Sequence, residues 1–292
     1  MTMLNTPLEK SDQSAQEYVE ALARKSGSSF LAGMRVLSAE RRQAMFAVYA
    51  FCREVDDIAD EEGEPAQKRR QLGQWRGELD LLFDGSPQSS IGEALKPPVE
   101  RYGLRKSDFL AVIDGMEVDA QPSVRLADEG ALTGYCDRVA CAVGRLSCAV
   151  FGVPPELGDP LSNVLGQALQ LTNILRDFHE DGLRDRLYVP ASLLREHGIP
   201  DDAEVADILG HQAFPTVCGV LAARTQEFYD AAEVALAACD RRSVRPPHIM
   251  MEVYRRIFIA LKDRGWDGPA LKTAVRVSSA RKLWIVVRHG VF

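Results

Sequence analysis

Long hydrophobic runs are missing from this sequence. No stretch approaches the ~18 to 20 apolar residues that cross a bilayer, and the opening MTMLNTPLEKSDQ is too polar for a secretory signal. A soluble, cytoplasmic protein is therefore expected. A basic excess is missing too: 35 Lys and Arg stand against 42 Asp and Glu, a net charge of −7, which argues against a general nucleic-acid surface. The six cysteines (Cys52, Cys136, Cys141, Cys148, Cys218 and Cys239) contain no C-x-x-C pair and mostly lie among Ala, Val and Leu. They read as reduced thiols buried as small apolar residues, not as a metal or redox site. Gly/Ser linkers, low-complexity tracts and internal repeats are absent, so one domain over residues 1–292 is expected, with residues 1–18 at its periphery. Period-two alternation is almost absent as well. The nearest strand-like run is Leu283 to Val287, which reads equally as the end of a helix.

What is present is ordinary globular composition, 46% hydrophobic and 26% charged, which excludes disorder, collagen and a disulfide-stapled miniature fold. The charge is unevenly placed. Residues 241–292 hold twelve Lys or Arg against three Asp or Glu, so that segment is +9 and the remainder −16. Proline clusters at 84–98, 153–160, 196–202 and 241–247 read as connections between long segments. Those segments carry apolar residues at three- and four-residue spacing, such as Met45, Val48, Cys52, Val55 and Ala59, or Leu165, Leu169, Thr172 and Leu175. The chain reads as all-α.

Two of these helices concentrate carboxylates. In AMFAVYAFCREVDDIAD (44–60), helical geometry stacks Tyr49, Arg53, Asp56 and Asp60 on one face, with Asp57 beside them. Like charges four residues apart repel, and a divalent cation held by carboxylate oxygens offsets that repulsion. The alternative is a solvated acidic face continuing into Glu61, Glu62 and Glu64. In VLGQALQLTNILRDFHED (164–181), Gln170, Asn173, Asp177 and Glu180 or Asp181 share one side, while Leu169, Thr172 and Leu175 make the other. Buried amides need partners, since an unsatisfied polar group costs roughly 1 to 3 kcal/mol, and a wet internal cavity supplies them. A calcium loop does not fit, because Ala59 and Pro65 occupy positions where that pattern needs an acid and a glycine. A di-iron bundle needs Glu-x-x-His pairs, and none occurs. Magnesium clasping a substrate phosphate fits the carboxylates best, with manganese as the alternative ion.

The helix YAFCREVDDIAD, the stretch YCDRVACAVGRLS (135–147) and NILRDFHEDGLRDRLYVP (173–190) together resemble the squalene and phytoene synthase family over roughly residues 20–290. These are head-to-head prenyl transferases with the all-α isoprenoid-synthase fold, a single helical bundle around a central cavity. Chain-elongating prenyl transferases are less similar, because they carry two D-D-x-x-D motifs and this chain carries D-D-x-x-D and D-x-x-E-D. Within the family, AGMRVLSAERRQAMFAVYAFCR and FLAVIDGMEVD resemble the bacterial presqualene diphosphate synthases of hopanoid biosynthesis.

The resemblance implies magnesium on Asp56, Asp60, Asp177 and Asp181, with Asn173, Asp57 and Glu180 as further ligands. It implies diphosphate or prenyl contacts from Ser26, Ser28, Ser29, Phe30, Arg53, Gln170, Arg176, Arg186, Tyr188, Tyr254 and Lys282, with Arg264 and Arg281 closing over the diphosphates. Tyr49 or Tyr254, or the released diphosphate, would accept the proton. Phe30, Phe51, Phe258 and Trp284 are candidate pocket aromatics, with plain core packing as the alternative. The small residues along 139–149 would admit two prenyl chains, or else pack helices closely. The implied reaction condenses two farnesyl diphosphates to presqualene diphosphate without NADPH. Phytoene synthesis from a C20 substrate, full reduction to squalene, and a non-catalytic prenyl-binding helical protein are the other readings. Prenyl substrates also imply peripheral contact with the inner membrane surface through the basic segment, and downstream isoprenoid-pathway enzymes as partners. Two departures from the family pattern stand out: Cys141, where Gly or Ser is common, and the pair Phe178-His179 between the second motif's acids.

Overall fold

Capping residues and prolines mark where the helices begin. The computed structural model describes residues 14–25, 33–275 and 285. In chain order these form α1 (Ala15–Lys25), α2 (Ala39–Asp60), α3 (Pro65–Phe83), α4 (Ser90–Tyr102), α5 (Lys106–Asp119), β1 (Val124–Leu126) and α6 (Glu129–Cys136). A π-helical turn (Asp137–Cys141) leads into α7 (Ala142–Phe151) and the long α8 (Pro155–Gly182). Then follow β2 (Arg186–Pro190), α9 (Ala191–Glu196), α10 (Val205–Gly210), α11 (Phe214–Ala237), α12 (Arg245–Arg264) and α13 (Gly268–Leu271). Ser38, Ser89 and Asp128 cap α2, α4 and α6 by accepting backbone N–H bonds. Gly152 ends α7 in the left-handed conformation (φ 79°), and α8 restarts three residues later on Pro155, where a missing N–H costs nothing.

Three proline-rich segments expected as connections are partly helical. Pro97 and Pro98 lie inside α4, Pro160 lies inside α8, and Pro246 and Pro247 open α12. Pro97 is exposed, at the solvent face of the helix. Burial of Ile91, Ala94, Leu95 and Pro98 on one face of α4 outweighs the local preference.

Buried residues from Val19 to Leu271 form one contiguous core cluster. Ala15 and Tyr18 of α1 pack against it. Phe51 on α2 meets Trp75 of α3 and Phe109 of α5 edge-on, at centroid distances of 5.5 and 5.1 Å. Tyr229 and Phe258 pack at 5.5 Å between α11 and α12. Phe51 and Phe258 are thus core, not pocket lining. Phe30 and Trp284, along with Ser26, Ser28, Ser29, Arg281 and Lys282, lie outside the described residues. No helix among the described residues is long and apolar enough to cross a membrane.

Among the described residues the regular structure is helical apart from one small parallel pair, β1 with β2. Alternation could not announce it: β1 has three residues, and all five positions of β2 are buried. Of the run Leu283 to Val287 only Ile285 is described, and it is helical and packed on Ile249 and Val253.

Candidate active site

Both carboxylate stripes form as the helical period requires, and Asp56, Asp57, Asp60 and Asp177 are each already engaged by an arginine. Arg53 donates to Asp56 (3.1 Å) and to Asp57 (3.0 Å) from within α2. Asp60, at the end of α2, takes Arg186 (2.7 Å) and Arg184 (2.9 Å) on the same oxygen, Oδ1. On α8, Arg176 grips Asp177 with two bonds of 2.7 and 2.6 Å. Planar two-point contacts of this kind are the strong form of the carboxylate–guanidinium interaction.

The two stripes face each other. Asp181 has its carboxyl pushed up to about 7, first by burial, then by Asp177, Asp119 and Asp60. Asp56 is pushed up to about 6 by burial and by Asp60, Asp57 and Asp119, against the opposing pull of Arg53. Asp60 goes the other way, held below the usual carboxylate range by Arg186 and Arg184. A cleft whose carboxylates raise one another in this way is short of positive charge.

The residues fit a hard divalent cation. The donors are all oxygens, and the Asn173 Oδ1 atom is buried with no hydrogen-bond partner, one helical turn before Asp177 and two before Asp181. Its Nδ2 donates to Gln170 (3.2 Å), and Tyr254 lies beside Asn173 and Arg176. Among the described residues no three His, Cys, Asp or Glu side chains converge closely enough to hold an ion by themselves. Arginines occupy Asp56, Asp57, Asp60 and Asp177 instead.

Gln170, Asn173 and Tyr254 also form the polar end of a cavity of about 180 Å³. Its walls are apolar or small: Val139, Ala140, Val143, Gly144 and Ser147 on one side, with Leu161, Leu165, Gly166 and Leu169 of α8 and Met250 of α12 on the others. The small residues along 139–149 divide between the cavity wall and helix packing. Val139, Ala140, Val143, Gly144 and Ser147 face the cavity, whereas Cys141 turns onto α8, its Sγ 3.3 Å from the Asn163 carbonyl. A Cβ on Gly166 would lie 2.8 Å from the backbone of Cys141, so the π-helical turn rests directly on α8. π-Helical turns recur at functional sites, and this one makes the cavity wall. A second cavity of about 250 Å³ lies against the other side of α7, where Arg105, Asp108, Arg145 and Asp159 are already paired with one another.

Other expected site residues hold partners within the protein or face solvent. Arg186 and Tyr188 point inward: Arg186 is 8% exposed and bonds Asp60, the Ala59 carbonyl and the Asp119 carbonyl, while Tyr188 donates to Asp119 (2.7 Å). They bind protein acceptors because both lie on a strand buried at every position. Glu180 is exposed, and Asp57 is held by Arg53. Phe178 packs on Phe214 at 5.2 Å on the core side of α8, so it leaves the acidic face unaltered. Arg264 lies over Trp266 and donates to the Thr273 carbonyl.

Asp119 and Tyr135 are the residues that reading of the sequence did not select. Asp119 is 7% exposed and accepts from both Tyr135 (3.0 Å) and Tyr188 (2.7 Å), whose rings stack at 4.6 Å. Burial pushes its carboxyl up to about 6, against the pull of Tyr188 and Arg186. One signal was available: Asp119 is the last residue of α5, and a helix C-terminus disfavours an acid.

The sequence pattern of the squalene/phytoene synthase family matches residues 23–281. A presqualene diphosphate synthase of Rhodopseudomonas palustris is 42% identical over 266 residues, covering 91% of this chain and 94% of that protein. A presqualene diphosphate synthase of Zymomonas mobilis is 41% identical over 284 residues, covering 96% and 95%. Among solved structures, a dehydrosqualene synthase in complex with ligand superposes with a TM-score of 0.81 at 23% identity, covering 95% of each chain, which is a likeness of fold. The chain belongs to the squalene/phytoene synthase family.

Proposed function

We propose that this protein condenses two farnesyl diphosphates head to head, releasing diphosphate and a proton and forming presqualene diphosphate. The observation that carries this reading is a pair of mutually facing acidic stripes, one of which follows on α8 directly after Gln170 and Asn173, the polar end of an otherwise apolar cavity. The names of the relatives at 41–42% identity support the choice of product. Asp56, Asp60, Asn173, Asp177 and Asp181 would hold magnesium, which as a Lewis acid neutralises a diphosphate leaving group when bound.

The chain's own groups do the rest. Arg53 and Arg176 sit beside the carboxylates and supply guanidinium groups to phosphate oxygens once cations take over their present partners. The walls from Val139 to Ser147 and from Leu161 to Leu169 keep water from an allylic cation. Capture of that cation by the second double bond and loss of a proton close a cyclopropane. No electron is gained or lost, so NADPH has no part in this step. Tyr254, whose hydroxyl stands at the polar end of the cavity, and Tyr49 are the side chains proposed to receive the proton. Ser26, Ser28, Ser29, Phe30 and Lys282 remain proposed contacts to the substrates. The lipophilic product and the basic segment 241–292 support peripheral residence at a membrane surface, next to enzymes that consume the product.

The test is incubation of the purified protein with farnesyl diphosphate and magnesium, with and without NADPH, followed by mass-spectrometric identification of the product. Presqualene diphosphate in both arms is expected. Turnover of the C20 substrate with none of farnesyl diphosphate overturns the proposal. Asp56→Asn and Asp177→Asn should each lower turnover by at least ~100-fold with helix content unchanged.

A further inference from the structure

Two helix C-termini meet on one guanidinium. Arg186 donates to the Ala59 carbonyl near the end of α2 (3.0 Å) and to the Asp119 carbonyl at the end of α5 (2.7 Å), and it reaches Asp60 Oδ1 at 2.7 Å. Helix ends leave carbonyls without partners and carry partial negative charge, so a cation buried there satisfies both needs.

The strand that carries Arg186 is itself gripped by Asp119. Tyr188, two residues along β2 and so on the same face as Arg186, donates its hydroxyl to Asp119 Oδ1 at 2.7 Å. The second carboxylate oxygen takes the Tyr135 hydroxyl at 3.0 Å. Asp119 therefore holds β2 at two alternate positions, through its carboxylate to Tyr188 and through its carbonyl to Arg186. Its carboxylate is bonded by two tyrosines and by no cation among the described residues. Burial and the helix dipole both disfavour a carboxylate here, so what keeps it in place is what it holds.

We propose that the Asp119 carboxylate is the positioning group of the acidic cleft: by holding Tyr188 it sets β2, and with it the Arg186 side chain that fixes Asp60 against the second acidic helix, and losing that carboxylate weakens the hold on divalent cations. This rests on reading Asp56, Asp60, Asp177 and Asp181 as cation ligands. Outer partners of metal ligands commonly change affinity by ten-fold or more when removed.

The experiment measures Mn²⁺ binding to the full chain, without substrate, by the electron paramagnetic resonance signal of the free ion. Asp119→Asn is expected to raise the Kd by roughly 10-fold and Tyr188→Phe to raise it by a smaller factor. The double variant should bind no more weakly than Asp119→Asn alone, because the two residues act as one unit. A purely structural role would lower thermal stability and leave the Kd unchanged. Wild-type affinity in a folded Asp119→Asn variant overturns the proposal. If that variant does not fold, unchanged affinity in Tyr188→Phe overturns it, and weakened affinity supports it. Absence of Mn²⁺ binding by the wild type overturns the cation reading, and this inference with it.

Discussion

Replacing Gly166 with Ala probes how closely α8 is seated on the π-helical turn. An added Cβ would stand 2.7 Å from Cys141 Sγ and 2.8 Å from both its Cα and its amide nitrogen. Non-bonded carbons settle at about 3.5–4.0 Å, so the helix and the turn must part by roughly 0.7 Å. Two of the three obstructing atoms are backbone, which cannot rotate away. Overpacking costs about 1–3 kcal/mol, and obstruction by backbone places this case near the upper end. Against that stands a gain of about 0.5–1 kcal/mol from restricting the unfolded chain and favouring helix. The net expectation is a loss of about 2 kcal/mol. Gly73→Ala in α3 isolates the gain, since nothing lies within 4 Å of its Cβ position, and it should stabilise by about 0.5–1 kcal/mol. Urea unfolding at unchanged m reads both values. A Gly166→Ala variant as stable as the wild type, or a destabilised Gly73→Ala variant, would refute the reasoning. Gln170 and Asn173 follow Gly166 by one and two helical turns, so the same displacement should also depress turnover.

Two further outcomes are expected. Asp181 and Asp56 are raised to about 7 and about 6 from an unfolded value near 3.8, so the folded, metal-free protein holds the extra protons between these limits. Their contribution to stability falls as pH rises from about 4 to about 7, and Asp181→Asn should flatten that slope; superimposable stability–pH curves for variant and wild type in EDTA would rule this out. Ser147→Phe should fill much of the cavity of about 180 Å³ and reduce turnover of the C15 substrate by at least ~10-fold, because a bulky wall residue displaces the chain from its productive position. Turnover at the wild-type rate would show that the substrate lies elsewhere.

The two acidic stripes were legible because helical periodicity alone puts Asp56 with Asp60, and Asn173 with Asp177 and Asp181, on common faces. The apolar cavity wall was legible only in part. Val139 and Gly144 face the cavity and Cys141 does not, and residue type cannot distinguish them, because the π-helical turn rotates the face that ordinary helical spacing would assign. The strands were hidden, β1 by its shortness and β2 by burial on both faces. Arg186 and Tyr188 invited assignment to phosphate by residue type, yet their acceptors lie 126 residues away at Asp60 and 69 residues away at Asp119. No local pattern reports such a pairing.

By itself, then, the sequence determined the helical class, the two carboxylate faces and the family resemblance, because each is carried by local spacing or by contiguous motifs. Only the tertiary structure decided which charges are spent on the protein's own acceptors and which face the cleft. Arg186 is consumed by two helix ends and Asp60, Asp119 is buried under two tyrosines, and Asn173 is left with an unpartnered oxygen beside the acids. Those outcomes depend on which helix termini meet in space, and that is set by packing of the whole core.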